Sequence, residues 1–138
     1  MPEGVNPDRH DAATGERPAA GTVTGWAAVA AGAATQYDAE SRPSFAALIY
    51  APWEGGPVPA DVPPVFLAAA GDDDLVDVRS SLALFSAWRA VARPAELHVY
   101  SKGGHGFGLI KQGLQSDHWP DPFWAWLKAH NFVPSSPG

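Results

Sequence analysis

Residues 65–108 read VFLAAAGDDDLVDVRSSLALFSAWRAVARPAELHVYSKGGHGFG, and this stretch decides the fold. Val65 to Ala70 is a short, continuous apolar run closed by Gly71 and three aspartates, Asp72, Asp73 and Asp74. Such a run suits a strand buried on both faces, as in a parallel sheet. Residues 78–92 follow, with Leu82, Phe85, Trp88 and Val91 spaced as the apolar side of an amphipathic helix. Glu96 to Tyr100 is a further strand, and residues 102–108, with four glycines around His105, form a flexible turn. Strand, helix and strand in succession predict a parallel sheet covered by helices. In such sheets functional groups gather at the carboxyl ends of the strands. The aspartate run and His105 both fall there.

The same pattern extends outward. Upstream, Phe45 to Tyr50 (FAALIY) is another short apolar run, set off by Arg42-Pro43 before it and Pro52 after it. It predicts an additional buried strand. Residues 54–64 (EGGPVPADVPP) are a loop by their Gly and Pro content. Residues 22–36 (TVTGWAAVAAGAATQ) are rich in alanine and predict a helix whose small side chains allow close approach to a sheet, although Gly25 and Gly32 weaken it. Downstream, Phe123, Trp124, Trp126 and Leu127 predict a C-terminal helix ending near Asn131. Three segments result: a polar arm over residues 1–20, a folded unit over 21–133, and a short tail over 134–138.

Composition narrows the function. The chain has 138 residues, 46% of them hydrophobic and only 17% charged, so one domain with a real core is expected. A net charge of −6 argues against nucleic acid or an anionic membrane as partner. There is no cysteine, which removes disulfides, thiolate catalysis and cysteine-type zinc sites. No apolar run reaches membrane-spanning length, and no basic segment with an apolar core opens the chain, so a cytoplasmic protein is expected.

GDDDLV and HVYSKGGHGFG, in this order and at this distance, resemble the end of an α/β-hydrolase of the acetyl-esterase and xylan-esterase-like type. The resemblance covers roughly residues 42–130. It implies a truncated α/β-hydrolase with a three-stranded, mainly parallel sheet, and a triad running Ser, Asp, His along the chain. The family's D-x-x-V motif selects Asp73, with Asp72 and Asp74 as neighbouring alternatives, and the histidine is His105. The aspartate would fix the imidazole tautomer and stabilise the imidazolium. One component departs from the pattern. The sequence contains no G-x-S-x-G elbow, and where the elbow would fall it has Gly4-Val5-Asn6-Pro7, with Asn6 in the serine's place. The oxyanion hole built around that elbow is then missing as well.

Two expectations follow. First, a sheet reduced to three strands leaves an apolar edge beside FAALIY, which predicts a homodimer that completes the sheet. Second, a carboxylate and an imidazole without a serine are ready metal ligands. A catalytic zinc, or another divalent transition metal, takes three protein ligands and a water whose pKa it lowers. Asp73, His105, His118 and His10 are the expected ligands, with Asp8, Asp11, Asp72 and Asp117 as further carboxylate donors. The expected substrate is a small carboxyl or phosphate ester; Trp26, Trp53, Trp88, Trp119, Trp124 and Trp126 are expected mostly to pack the core, with an aryl-accepting pocket as the alternative. The rival readings are metal-free activation of water by Asp73 and His105, and a non-catalytic remnant or fragment that needs a serine-bearing partner. His98 and His130 are expected to be structural.

Overall fold

The computed structural model describes residues 30–134; the arm at 1–20, with His10, and Trp26 lie outside the described residues. Residues 30–35 are helical. They are followed by β1 (Ala46–Ile49), β2 (Val65–Ala70), α1 (Arg79–Ala90), β3 (Ala95–Tyr100), a 3-10 turn (Gln115–His118) and α2 (Pro120–Ala129). The strands form one sheet in the order β1-β2-β3, and both pairings are parallel. This is the three-stranded parallel sheet with flanking helices that the sequence predicts. Among the described residues no helix is long and apolar enough to cross a membrane.

The central strand explains the layering. All six residues of β2 are buried. Because side chains alternate across a strand, its two sets of residues enter two different cores. Val65 and Leu67 join Leu48, Leu84, Trp88, Ala31 and Ala34 on the α1 side. Phe66, Ala68 and Ala70 join Phe107, Trp126 and Leu127 on the α2 side. A strand apolar at every position is what two covered faces require, and each large apolar side chain so buried contributes about 1.5–3 kcal/mol.

The face that α1 presents differs from the expected one. Ser81, Leu84 and Trp88 are buried, Phe85 and Val91 pack partly against the core, and Leu82 is 45% exposed. Trp88 is the anchor of this layer. Its indole N–H donates to the Pro63 carbonyl at 2.7 Å, and Arg93 Nε donates to the Val62 carbonyl at 2.8 Å. These bonds satisfy buried carbonyls of the proline-rich segment that carries the chain from β1 to β2. That crossover has no helix, and its backbone is held by side chains of the next helical unit instead.

α2, the C-terminal helix expected from Phe123, Trp124, Trp126 and Leu127, begins at Pro120, in a first turn where a missing N–H costs nothing, and ends at Ala129. The aromatic residues mostly build the core rather than a pocket. Trp88 and Trp126 are buried, Trp53 and Trp119 pack partly against the two cores, and Trp124 faces solvent.

Candidate active site

β2 and β3 remain paired to their carboxyl ends, where Ala70 lies beside Tyr100 and the Gly71 N–H donates to the Tyr100 carbonyl at 2.7 Å. The two chains then diverge into turns. The aspartate run leaves β2 and the glycine-rich turn leaves β3, so adjacent strand ends deliver Asp73 and His105 to one place. His105 Nδ1 lies 2.8 Å from Asp73 Oδ2. Both side chains are buried, that of Asp73 to 1% exposure and that of His105 to 7%.

Asp73 is held by its own turn. Its Oδ1 accepts the N–H groups of Leu75 and Val76, each at 2.9 Å. The D-x-x-V pattern thus has a local cause: the carboxylate folds the next three residues around one oxygen and turns the other toward the imidazole. With Nδ1 donating to Asp73, the basic nitrogen of the neutral ring is Nε2. Held by these contacts, the Asp73 carboxyl group is positioned to stabilise an imidazolium as it forms.

The three aspartates have separate roles. Asp73 takes the imidazole. Asp72 Oδ1 accepts the backbone N–H of Gly104 at 2.7 Å. Asp74 is exposed. Tyr50 is a further member of the site that the sequence reading passed over. It follows β1 directly, is 5% exposed, and sets its ring 4.5 Å from that of His105 and edge-on to Phe107 at 5.2 Å. Its φ of 45° is unusual for a bulky residue and turns the chain sharply at the sheet's functional end. Burial, with the Asp73 charge adding to it, pushes the Tyr50 hydroxyl up to about 12. The available signal was position: an aromatic closing an apolar run at the carboxyl end of a strand.

The expected metal ligands do not assemble among the described residues, where no three His, Asp or Glu side chains group as donors. His118 sits on the 3-10 turn, 74% exposed, with Nδ1 3.8 Å from Asp121. Asp117 is occupied in shaping its loop, accepting the N–H groups of Gln112 and Gly113. Asp73 directs both oxygens to N–H donors, which leaves it poorly suited as a ligand. His98 pairs with Glu96 at 2.8 Å and stacks on Phe66, and His130 packs on Trp126 and Phe132. A cleft of about 470 Å³ between residues 31–36 and 52–57 is lined by Thr35, Gln36, Trp53 and Glu54 among others. Neither Asp73 nor His105 lines it, so it is separate from this site.

No family model matches the sequence, and a comparison with curated proteins also finds no match. Solved structures do match the fold. An acetyl ester-xyloside bifunctional hydrolase from Caldicellulosiruptor lactoaceticus superposes over 80% of this chain with a TM-score of 0.68 and 22% identity. An esterase from Thermogutta terrifontis does so over 83% with a TM-score of 0.66 and 15% identity. An α/β hydrolase enzyme from a Medee basin deep-sea metagenome library gives 75%, 0.64 and 23%. The chain spans 50–55% of the length of these three proteins. The described residues therefore have about half of an α/β-hydrolase fold, as the resemblance of the two motifs implied.

Proposed function

We propose that this chain hydrolyses small carboxylic esters, with His105 as general base and Asp73 as the group that orients it. The observation that carries this reading is the buried 2.8 Å contact between Asp73 Oδ2 and His105 Nδ1 at the carboxyl ends of adjacent parallel strands. The structural neighbours, which are esterases and hydrolases, support the reaction class.

In this reading the nucleophile is a water molecule activated by His105. His105 Nε2 accepts a proton from water as the water oxygen bonds to the ester carbonyl carbon. Asp73 keeps Nδ1–H in place and offsets the imidazolium charge. The same proton then passes to the departing alkoxide, the carbon–oxygen bond breaks, and acid and alcohol are released. General base catalysis of this kind contributes typically 10²–10⁴-fold. General base catalysis by one histidine demands least of esters with good leaving groups, so aryl acetates are the fitting first substrates.

The test is hydrolysis of p-nitrophenyl acetate by the untagged chain, with and without chelator, beside His105→Ala and Asp73→Asn. The reading predicts activity that survives chelation and is lost in His105→Ala. Asp73→Asn keeps an oxygen for Leu75 and Val76 but aims an amide at Nδ1, favouring the wrong tautomer, and a loss of up to roughly 10⁴-fold is expected. A metal-activated hydroxide, using His105 with a donor such as His10, predicts instead that chelator abolishes the rate and zinc restores it. Activity that appears only after adding a separate serine-bearing chain would identify a complementing fragment.

A further inference from the structure

The turn that carries His105 is fastened at two backbone positions just ahead of it. Asp72 Oδ1 accepts the Gly104 N–H at 2.7 Å, and Gln112 Nε2 donates to the Gly103 carbonyl at 2.8 Å. Gly103 itself has no room for a side chain. A Cβ there would lie 2.8 Å from Ser116 Oγ and 3.4 Å from the Ala70 Cβ, and its φ is +153°. Ser116 is fully buried, its hydroxyl has no hydrogen-bond partner among the described residues, and it lies under this glycine. The turn is thus seated on Ala70 and Ser116 and gripped by Asp72 and Gln112.

We propose that Asp72 and Gln112 are positioning residues for His105, a two-point clamp on Gly103 and Gly104 that sets where the imidazole projects; this rests on the reading of His105 as the base. The geometry gives the reason. Asp73 holds the ring at Nδ1, and the clamp holds the peptide units that lead into the residue, so the side chain and the main chain of His105 are restrained separately. Adjacent residues supply both, Asp72 to the backbone and Asp73 to the ring. One turn at the end of β2 therefore registers the whole histidine turn against the sheet. The bond from Asp72 is charge-assisted, and the Gly104 N–H, as its main partner, holds the Asp72 carboxyl below the usual carboxylate range. Small misplacements of a catalytic group can cost on the order of 10²-fold in rate.

The experiment compares the wild-type chain with Asp72→Ala, Asp72→Asn and Gln112→Ala in three measurements. These are hydrogen exchange of the Gly104 amide, the downfield Nδ1–H resonance of His105, and kcat and KM for p-nitrophenyl acetate. Asp72→Ala is expected to speed Gly104 exchange, to broaden or remove the Nδ1–H resonance, and to lower kcat by roughly tenfold to a hundredfold with KM unchanged. Asp72→Asn, which still offers Oδ1 to the same N–H, restores all three. Gln112→Ala follows Asp72→Ala in the resonance and in kcat. Wild-type values in both alanine variants overturn the clamp, as does an Asp72→Asn variant as impaired as Asp72→Ala. If the wild-type chain has no His105-dependent hydrolysis, the base reading fails alone. The exchange rate and the Nδ1–H resonance then judge the clamp by the same outcomes.

Discussion

At the scale of single residues, the site is a set of hydrogen bonds whose partners the sequence names only in part. The pairing of Asp73 with His105 was legible because each lies in a recognisable turn just beyond a strand's carboxyl end. The choice among Asp72, Asp73 and Asp74 was left open until side-chain directions were known, because three consecutive carboxylates look alike in sequence. The structure separates them by what each touches: an imidazole, a backbone amide, and solvent. Tyr50 escaped notice because its role depends on an unusual backbone angle, which an apolar run does not announce. It makes a prediction of its own. With its hydroxyl pushed up to about 12 by burial, Tyr50 is neutral in the folded protein where an unfolded tyrosine, titrating near 10, is ionised. The folded state then holds the extra proton, so this contribution to stability is complete below pH about 10 and is lost as pH rises through about 12. A tyrosinate absorbance titration is expected to show a late step near pH 12 that Tyr50→Phe removes. Persistence of that step in the variant would assign it elsewhere.

At the scale of elements, every strand and helix expected within the described residues is present, with ends shifted by a few residues. Continuous apolar runs bounded by Gly and Pro identified the strands, because only a strand covered on both faces tolerates them. The orientation of α1 was harder. Leu82, Phe85, Trp88 and Val91 recur every third residue, and at 3.6 residues per turn such a series winds around the helix rather than along it. Leu82 stands about 120° from Trp88, whereas Ser81 and Leu84 stand within about 20° and 40°. The sheet selects the second set, even though it includes a serine. Urea denaturation of two variants checks this. Leu84→Ala is expected to cost about 2–5 kcal/mol. Leu82→Ala, on the exposed side, is expected to stay within about 0.5 kcal/mol. Equal losses would contradict the observed face. The 3-10 turn at Gln115–His118 was not legible, since it depends on Asp117 gathering the amides of Gln112 and Gly113 across the loop.

At the scale of the whole molecule, a parallel sheet brings its strand carboxyl ends together, and the meeting of the Asp73 and His105 turns there was legible from the order of elements. The ligands expected for a metal from the aspartate–imidazole pair do not group among the described residues, where Asp72, Asp73 and Asp117 are committed to turns; His10 lies outside those residues. The sheet's edges raise a separate expectation. Ala46 and Tyr50 direct their N–H groups to β2, so Ala47 and Ile49 direct theirs to the outer side of β1, where no strand lies among the described residues. Sedimentation is expected to show a homodimer paired through this edge, and Ala47→Pro, which removes one outward N–H, is expected to shift it to monomer. A monomeric wild-type chain would contradict edge pairing. The central claim is that His105, oriented by Asp73, is the base for ester hydrolysis. It is tested most directly by the initial rate of p-nitrophenyl acetate hydrolysis in the presence of chelator, wild type against His105→Ala at matched circular dichroism. The prediction is a rate above buffer for the wild type that falls to the buffer rate in the variant. Equal rates in the two proteins would contradict it.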